Sequence, residues 1–130
     1  MFKRIKYPTG YSSKTSNVFL IAKTSKKNGR LICDLISYNF RIQFWVASDG
    51  NGNTLNIYKK KSFYGSVRLY AFLNSDSNAL EIYATSLPAG DYCVMEYLNL
   101  YQSYDPNMIW SGRIESVSSL PSGATEIPEA

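Results

Sequence analysis

The chain has no histidine anywhere in its 130 residues. That absence removes His-based triads, His-ligated metals and the usual general base together. Cysteine is nearly missing as well. Cys33 and Cys93 sit in apolar, strand-like contexts (LICDLI and DYCVMEY) with no CxxC pair and no disulfide-scaffold density, so buried free thiols are expected, with a single bridge left open. Long apolar runs are lacking too. The longest, such as VFLIA at 18–22, fall far below the roughly 20 residues a helix needs to cross a bilayer. The basic opening MFKRIKYPTGY has no apolar stretch behind it, so neither a signal peptide nor membrane insertion is expected. No GxSxG, P-loop or GxGxxG occurs, and the Ser and Cys nucleophiles have no evident activating partner.

Acidic residues are scarce in one part of the chain only. Residues 1–75 hold 13 Lys/Arg against Asp34 and Asp49, whereas residues 76–130 hold Arg113 against eight acids. The halves are therefore +11 and −7, which gives the net +4. A nucleic-acid binder more usually adds basic charge without such a counterweight, so no nucleic-acid partner is expected. Two explanations of the split stand open: the halves mix in an interleaved sheet, or subunits meet basic face to acidic face.

Tyrosine is abundant, at 11 residues, and lifts the aromatic content to 15%; it favours strands and also interfaces, where the ring is buried and the hydroxyl stays wet. Period-two alternation dominates. In residues 40–46 the set Phe40, Ile42, Phe44 and Val46 is expected to face inward, with Arg41, Gln43 and Trp45 outward. Val67, Leu69, Ala71 and Leu73 form a second inward set, and residues 80–84 repeat the pattern. Looser alternation covers 2–7, 18–23, 31–36, 54–59, 92–98 and 108–113. Turn clusters rich in Gly, Pro, Asn, Asp and Ser lie between, among them SDGNGN at 48–53, the clearest hairpin connection. One domain of about nine short strands follows, an antiparallel β-sandwich of jelly-roll type. It is expected over 1–120, with 121–130 as a polar C-terminal tail that does not continue the alternation.

Chemistry-bearing patterns are few. Glu81, Asp91, Glu96, Asp105 and Glu115 could in form supply a glycosidase carboxylate pair, but solvated surface acids are the expected reading, and no enzyme is predicted. Asp49-x-Asn51-x-Asn53 opens like a calcium loop, then places Thr54 where Gly is needed and Lys60 where the closing Glu is needed. A plain turn is expected there, with no metal or other cofactor. Lys59, Lys60 and Lys61 suggest a solvated loop start or the guard of an edge strand rather than an anion patch. The outward aromatics Trp45, Tyr70, Phe72 and Tyr83 leave three readings open: a sugar-stacking platform, a subunit interface, or a second core layer in a sheet buried on both faces. The stretch YLNLYQSY at 97–104, read as a loop, offers Tyr97, Asn99, Tyr101, Gln102 and Tyr104, with Trp110 just beyond, as an alternative place for a carbohydrate.

Three short stretches carry a resemblance. They are Phe2-Lys3-Arg4-Ile5 at the start, Tyr64-Gly65-Ser66-Val67-Arg68-Leu69-Tyr70 in the middle, and Leu120-Pro121-Ser122-Gly123-Ala124 near the end. In this order, over nearly the full length, the chain resembles the C-terminal head (receptor-binding) domain of phage and prophage tail fibres and minor structural proteins. The resemblance rests on ordering and weak motifs; the YLNLYQSYDPN stretch and the charge split depart from the pattern. It implies a non-enzymatic, homotrimeric adhesion module on the virion that recognises a host-surface glycan or protein. It transfers no binding residues. The alternative is a monomeric carbohydrate-binding module of a bacterial secreted or surface enzyme.

Overall fold

The computed structural model describes residues 3–8, 11–13, 16–25, 30–37, 39–48, 53–85, 92–94, 97–102 and 114–130. These residues form strands, turns and bends, with no helix among them. The strands are β1 (Lys3–Pro8), β2 (Tyr11–Ser13), β3 (Val18–Ser25), β4 (Arg30–Ile36), β5 (Arg41–Ser48), β6 (Leu55–Tyr64), β7 (Arg68–Asn74), β8 (Ala79–Thr85), β9 (Tyr92–Val94), β10 (Tyr97–Gln102), β11 (Glu115–Val117) and β12 (Thr125–Glu126).

Two five-stranded sheets hold the core. The front sheet runs β1-β10-β4-β5-β6 and the back sheet β11-β3-β8-β7-β12, with β2 and β9 paired separately. Every strand pair is antiparallel. The front sheet contains the meander β4-β5-β6, the chain crosses to the hairpin β7-β8 in the back sheet, and β10 later inserts between β1 and β4. One hydrophobic cluster joins the sheets: Phe44, Ile42 and Leu35 from the front meet Phe19, Leu69 and Ile82 from the back. The expected antiparallel sandwich is thus present.

Alternation produces this arrangement as the sequence pattern requires. In β5 the residues from Ile42 to Ser48 are buried at every second position, and Arg41, Gln43 and Trp45 fall on the outer face. Val67, Leu69 and Ala71 are buried as expected, with Leu73 partly so. Strand β8 departs from simple alternation. Glu81 and Tyr83, on the face opposite Leu80 and Ile82, are buried as well, so the second-layer reading holds for Tyr83.

Local turn chemistry fixes the hairpins. Between β7 and β8 the Asn74 side chain accepts the backbone N–H groups of Asp76 (3.0 Å) and Ser77 (3.3 Å), and Asn78 takes the left-handed conformation at φ 53°, which Asn tolerates better than most residues. The Ser37 N–H donates to the Phe40 carbonyl at 2.8 Å and closes the β4-β5 turn. Gly65, at φ +77°, lies so close to that turn that a Cβ would stand 2.5 Å from both the Asn39 carbonyl oxygen and Phe40 Cβ. The Tyr64 hydroxyl donates to the Ser37 carbonyl alongside, at 3.2 Å.

The segment set apart as a tail belongs to the sandwich. Thr125 and Glu126 pair with Ala71 and Tyr70 of β7, the Ile127 N–H donates to the Leu69 carbonyl at 2.8 Å, and the Ile127 side chain is fully buried. The chain then crosses to the other sheet. Lys60 of β6 donates its N–H to the Pro128 carbonyl at 2.9 Å and accepts from the Ala130 N–H at 2.7 Å. One apolar residue in a polar stretch is a weak periodic signal; here it is the anchor, because burying an isoleucine side chain is worth about 1.5–3 kcal/mol.

Candidate functional site

Register places the front-sheet candidates relative to one another. One rung aligns Arg4, Tyr101, Ile32, Trp45 and Lys59 across the five strands, and the next aligns Lys6, Asn99, Asp34, Gln43 and Lys61. Tyr97 stands on a third rung with Ile36 and Arg41. Four sequence candidates, Trp45, Tyr97, Asn99 and Tyr101, therefore share this sheet. The stretch 97–102 is strand β10, not the expected loop, because Leu98 and Leu100 fall in register with the buried Leu35 and Cys33; long-range pairing outweighs the turn-like letters between them. Gln102 lies on the neighbouring rung with Leu31 and Val46. Tyr104 and Trp110 lie outside the described residues.

A bulge shapes the edge of this face. Arg41 pairs with Tyr64 and Ile42 with Ser62, so Phe63 has no opposite partner. Such an inserted residue re-aims its side chain. Phe63 and Tyr64 are 46% and 49% exposed, and Ile32 further along the sheet is 38% exposed. The Arg41 guanidinium sits over the Phe63 ring at 4.8 Å and the Lys61 ammonium at 5.4 Å from its centroid. Arg41 also binds Asp34 at 3.3 Å, a hydrogen bond and charge that raise the arginine pKa above its ordinary value. Trp45 is half-buried on the same face. Sequence alternation located Trp45 and missed Phe63, Tyr64 and Ile32. The Tyr-Gly step at 64–65 was the available signal, since the strand must end there.

The remaining candidates divide. Tyr70 and Tyr83 are opposite one another in the back sheet. Tyr83 is no platform: it is 7% exposed, and its hydroxyl donates to Glu81 at 2.9 Å. Burial first, and then the Glu81 hydrogen bond and charge, push its pKa well above the usual phenol range. Glu81 accepts from Asn74 as well, at 3.1 Å, so this acid is buried rather than solvated; Glu115 is exposed on β11. Asp91, Glu96 and Asp105, like the Asp49–Gly52 part of the calcium-loop pattern, lie outside the described residues. Cys33 is a buried free thiol whose pKa is raised, chiefly by burial and then by Asp34. The side chain of Cys93 lies outside the described set.

The lysine run is also partly corrected. Lys59 and Lys61 are exposed on edge strand β6, whereas Lys60 is buried. Its ammonium donates to the Val67 carbonyl at 2.7 Å and lies 3.9 Å from Glu129. It ties the edge to the C-terminal segment.

No family model, curated protein or solved structure matches the chain. The functional reading therefore stands on the site alone.

Proposed function

We propose that the chain is a non-enzymatic adhesion module, a subunit of a trimeric phage or prophage fibre head, which recognises a saccharide on the bacterial surface through the outer face of its front sheet. One observation carries the reading: Phe63, Tyr64 and Ile32 are exposed there, with the half-buried Trp45 on the same face, beside the hydrogen-bonding Gln43, Lys59, Lys61 and the Arg41–Asp34 pair. Large exposed apolar groups clustered on one face of a monomer usually mark a contact surface. Aromatic faces stack on the C–H faces of sugar rings, while amide, ammonium and guanidinium groups donate to their hydroxyls.

The test is affinity electrophoresis through gels cast with bacterial capsular or wall polysaccharide. Retention is expected for the native chain, with loss in Trp45→Ala and Phe63→Ala. Retention unchanged in both variants would remove this face from the reading. If retention holds and the chain sediments as a monomer, the same face belongs instead to a carbohydrate-binding module.

A further inference from the structure

Strand β6 places two exposed lysines beside the half-buried indole of the front face. Lys59 is directly opposite Trp45 and Lys61 directly opposite Gln43; such cross-strand neighbours lie about 5 Å apart on one face. Along β6 the two lysines are roughly 7 Å apart, two residues of extended chain. An indole, an amide and a pair of ammonium groups therefore form one compact quadrilateral.

The lysine charges are uncompensated among the described residues. The ion pairs there join Arg41 to Asp34, Lys60 to Glu129 and Arg68 to Glu126, and neither Lys59 nor Lys61 belongs to one. Asp34, which shares a rung with Gln43 and Lys61, is buried and already held by Arg41 at 3.3 Å. The Lys61 ammonium lies 5.4 Å from the Phe63 ring centroid, a cation–π contact that holds it in place and lowers the ordering cost of binding an anion. A guard against edge pairing needs only charge on β6; it does not need an indole and an amide in the facing strand.

A ligand that satisfies all four corners carries an anion, a hydroxyl and a ring face close together. A uronic acid unit does so. Its carboxylate is bonded directly to the pyranose ring, so a ring laid on Trp45 brings the anion within one cross-strand step of Lys59. A poly(glycerol phosphate) chain has no ring at that distance.

We infer that this patch selects acidic saccharides, binding a uronate with its carboxylate on Lys59 and Lys61, its ring on Trp45 and a hydroxyl on Gln43. The inference rests on the adhesion reading and adds the ligand class to it. The test is affinity electrophoresis in gels cast with a uronate-containing capsular polysaccharide, with the same polymer after carboxyl reduction to neutral sugars, and with poly(glycerol phosphate) teichoic acid. Retention is expected on the uronate polymer and lost after reduction. Lys59→Gln and Lys61→Gln should each weaken it several-fold with an unchanged melting temperature. Lys23→Gln makes the same charge change on the back sheet and should leave it unaltered. Equal retention on the reduced polymer would overturn the inference and leave the adhesion reading standing. So would retention on teichoic acid alone, which would make phosphate the anion. An equal loss in Lys23→Gln would reduce the effect to general basicity, and a lower sedimentation mass in the Lys59 and Lys61 variants would give these lysines to a subunit contact; either result overturns the site. Passage through all the gels without retention would remove the adhesion reading as well.

Discussion

Gly65 shows how little freedom a single residue can have in this sandwich. Its positive φ and the 2.5 Å approach to backbone and side-chain atoms of Asn39 and Phe40 leave no room for a methyl group. Gly65→Ala is expected to cost about 3 kcal/mol, combining left-handed strain with a forced shift of the β4-β5 turn, read as a lowered urea midpoint. A midpoint within error of the native chain would mean the turn yields freely. Tyr83 makes a different demand. Its folded pKa is raised above the unfolded value of about 10, so the fold favours the neutral phenol. The resulting stability is complete below about pH 10 and is lost as pH rises through the folded pKa. Tyr83→Phe should flatten the alkaline fall in unfolding free energy relative to the native chain, at the expense of about 1 kcal/mol at neutral pH for the Glu81 hydrogen bond. Identical alkaline slopes would rule out this phenol as their source.

At the scale of elements, the C-terminal segment matters most. It adds β12 to the back sheet and occupies the outward N–H and C=O of Lys60 on the front sheet. An edge strand left open is a template for pairing with another chain. Ile127→Ala is expected to lose about 2–4 kcal/mol. Deletion of residues 125–130 should destabilise further and bring concentration-dependent association, followed by light scattering. A shortened chain that kept its midpoint and stayed dispersed would show that the segment is dispensable. This element also marks where the sequence ceased to be legible. Strands β5 and β7 were readable because each carries several inward apolar residues at period two, and β3 and β8 because they are apolar over most of their length. The segment around β12 has Ile127 alone, and its partners lie some sixty residues away in the chain. The front-face site was half legible for a related reason. Alternation pointed Trp45 outward, but the exposure of Phe63 and Tyr64 depends on a bulge, which shifts register without changing composition.

The whole molecule turns the charge split of the chain into a difference between sheets. The front-sheet strands carry three basic residues in β1, one in β4, one in β5 and three in β6, against Asp34 alone. The back-sheet strands carry Lys23 and Arg68 against Glu81, Glu115 and Glu126. Of the two explanations left open by the sequence, thorough mixing does not describe these strands, and face-to-face charge pairing between subunits is the one that a measurement of mass must test. A trimer is expected in analytical ultracentrifugation, dissociating as salt rises and screening shortens. A trimer indifferent to salt would place its cohesion in the exposed aromatics, and a monomer at every salt concentration would end the fibre-head assignment.

The bonds from Pro128 and Ala130 to Lys60 also set an order of events during synthesis. Lys60 leaves the ribosome long before its partners exist, so the nascent front sheet waits with β6 uncovered until residue 130 has emerged. Pairings this distant close late and raise contact order. A translation product that stops before residue 128 would therefore leave open the part of the β6 edge at Lys60 that this segment pairs, making incomplete synthesis a moment of raised risk of misassembly.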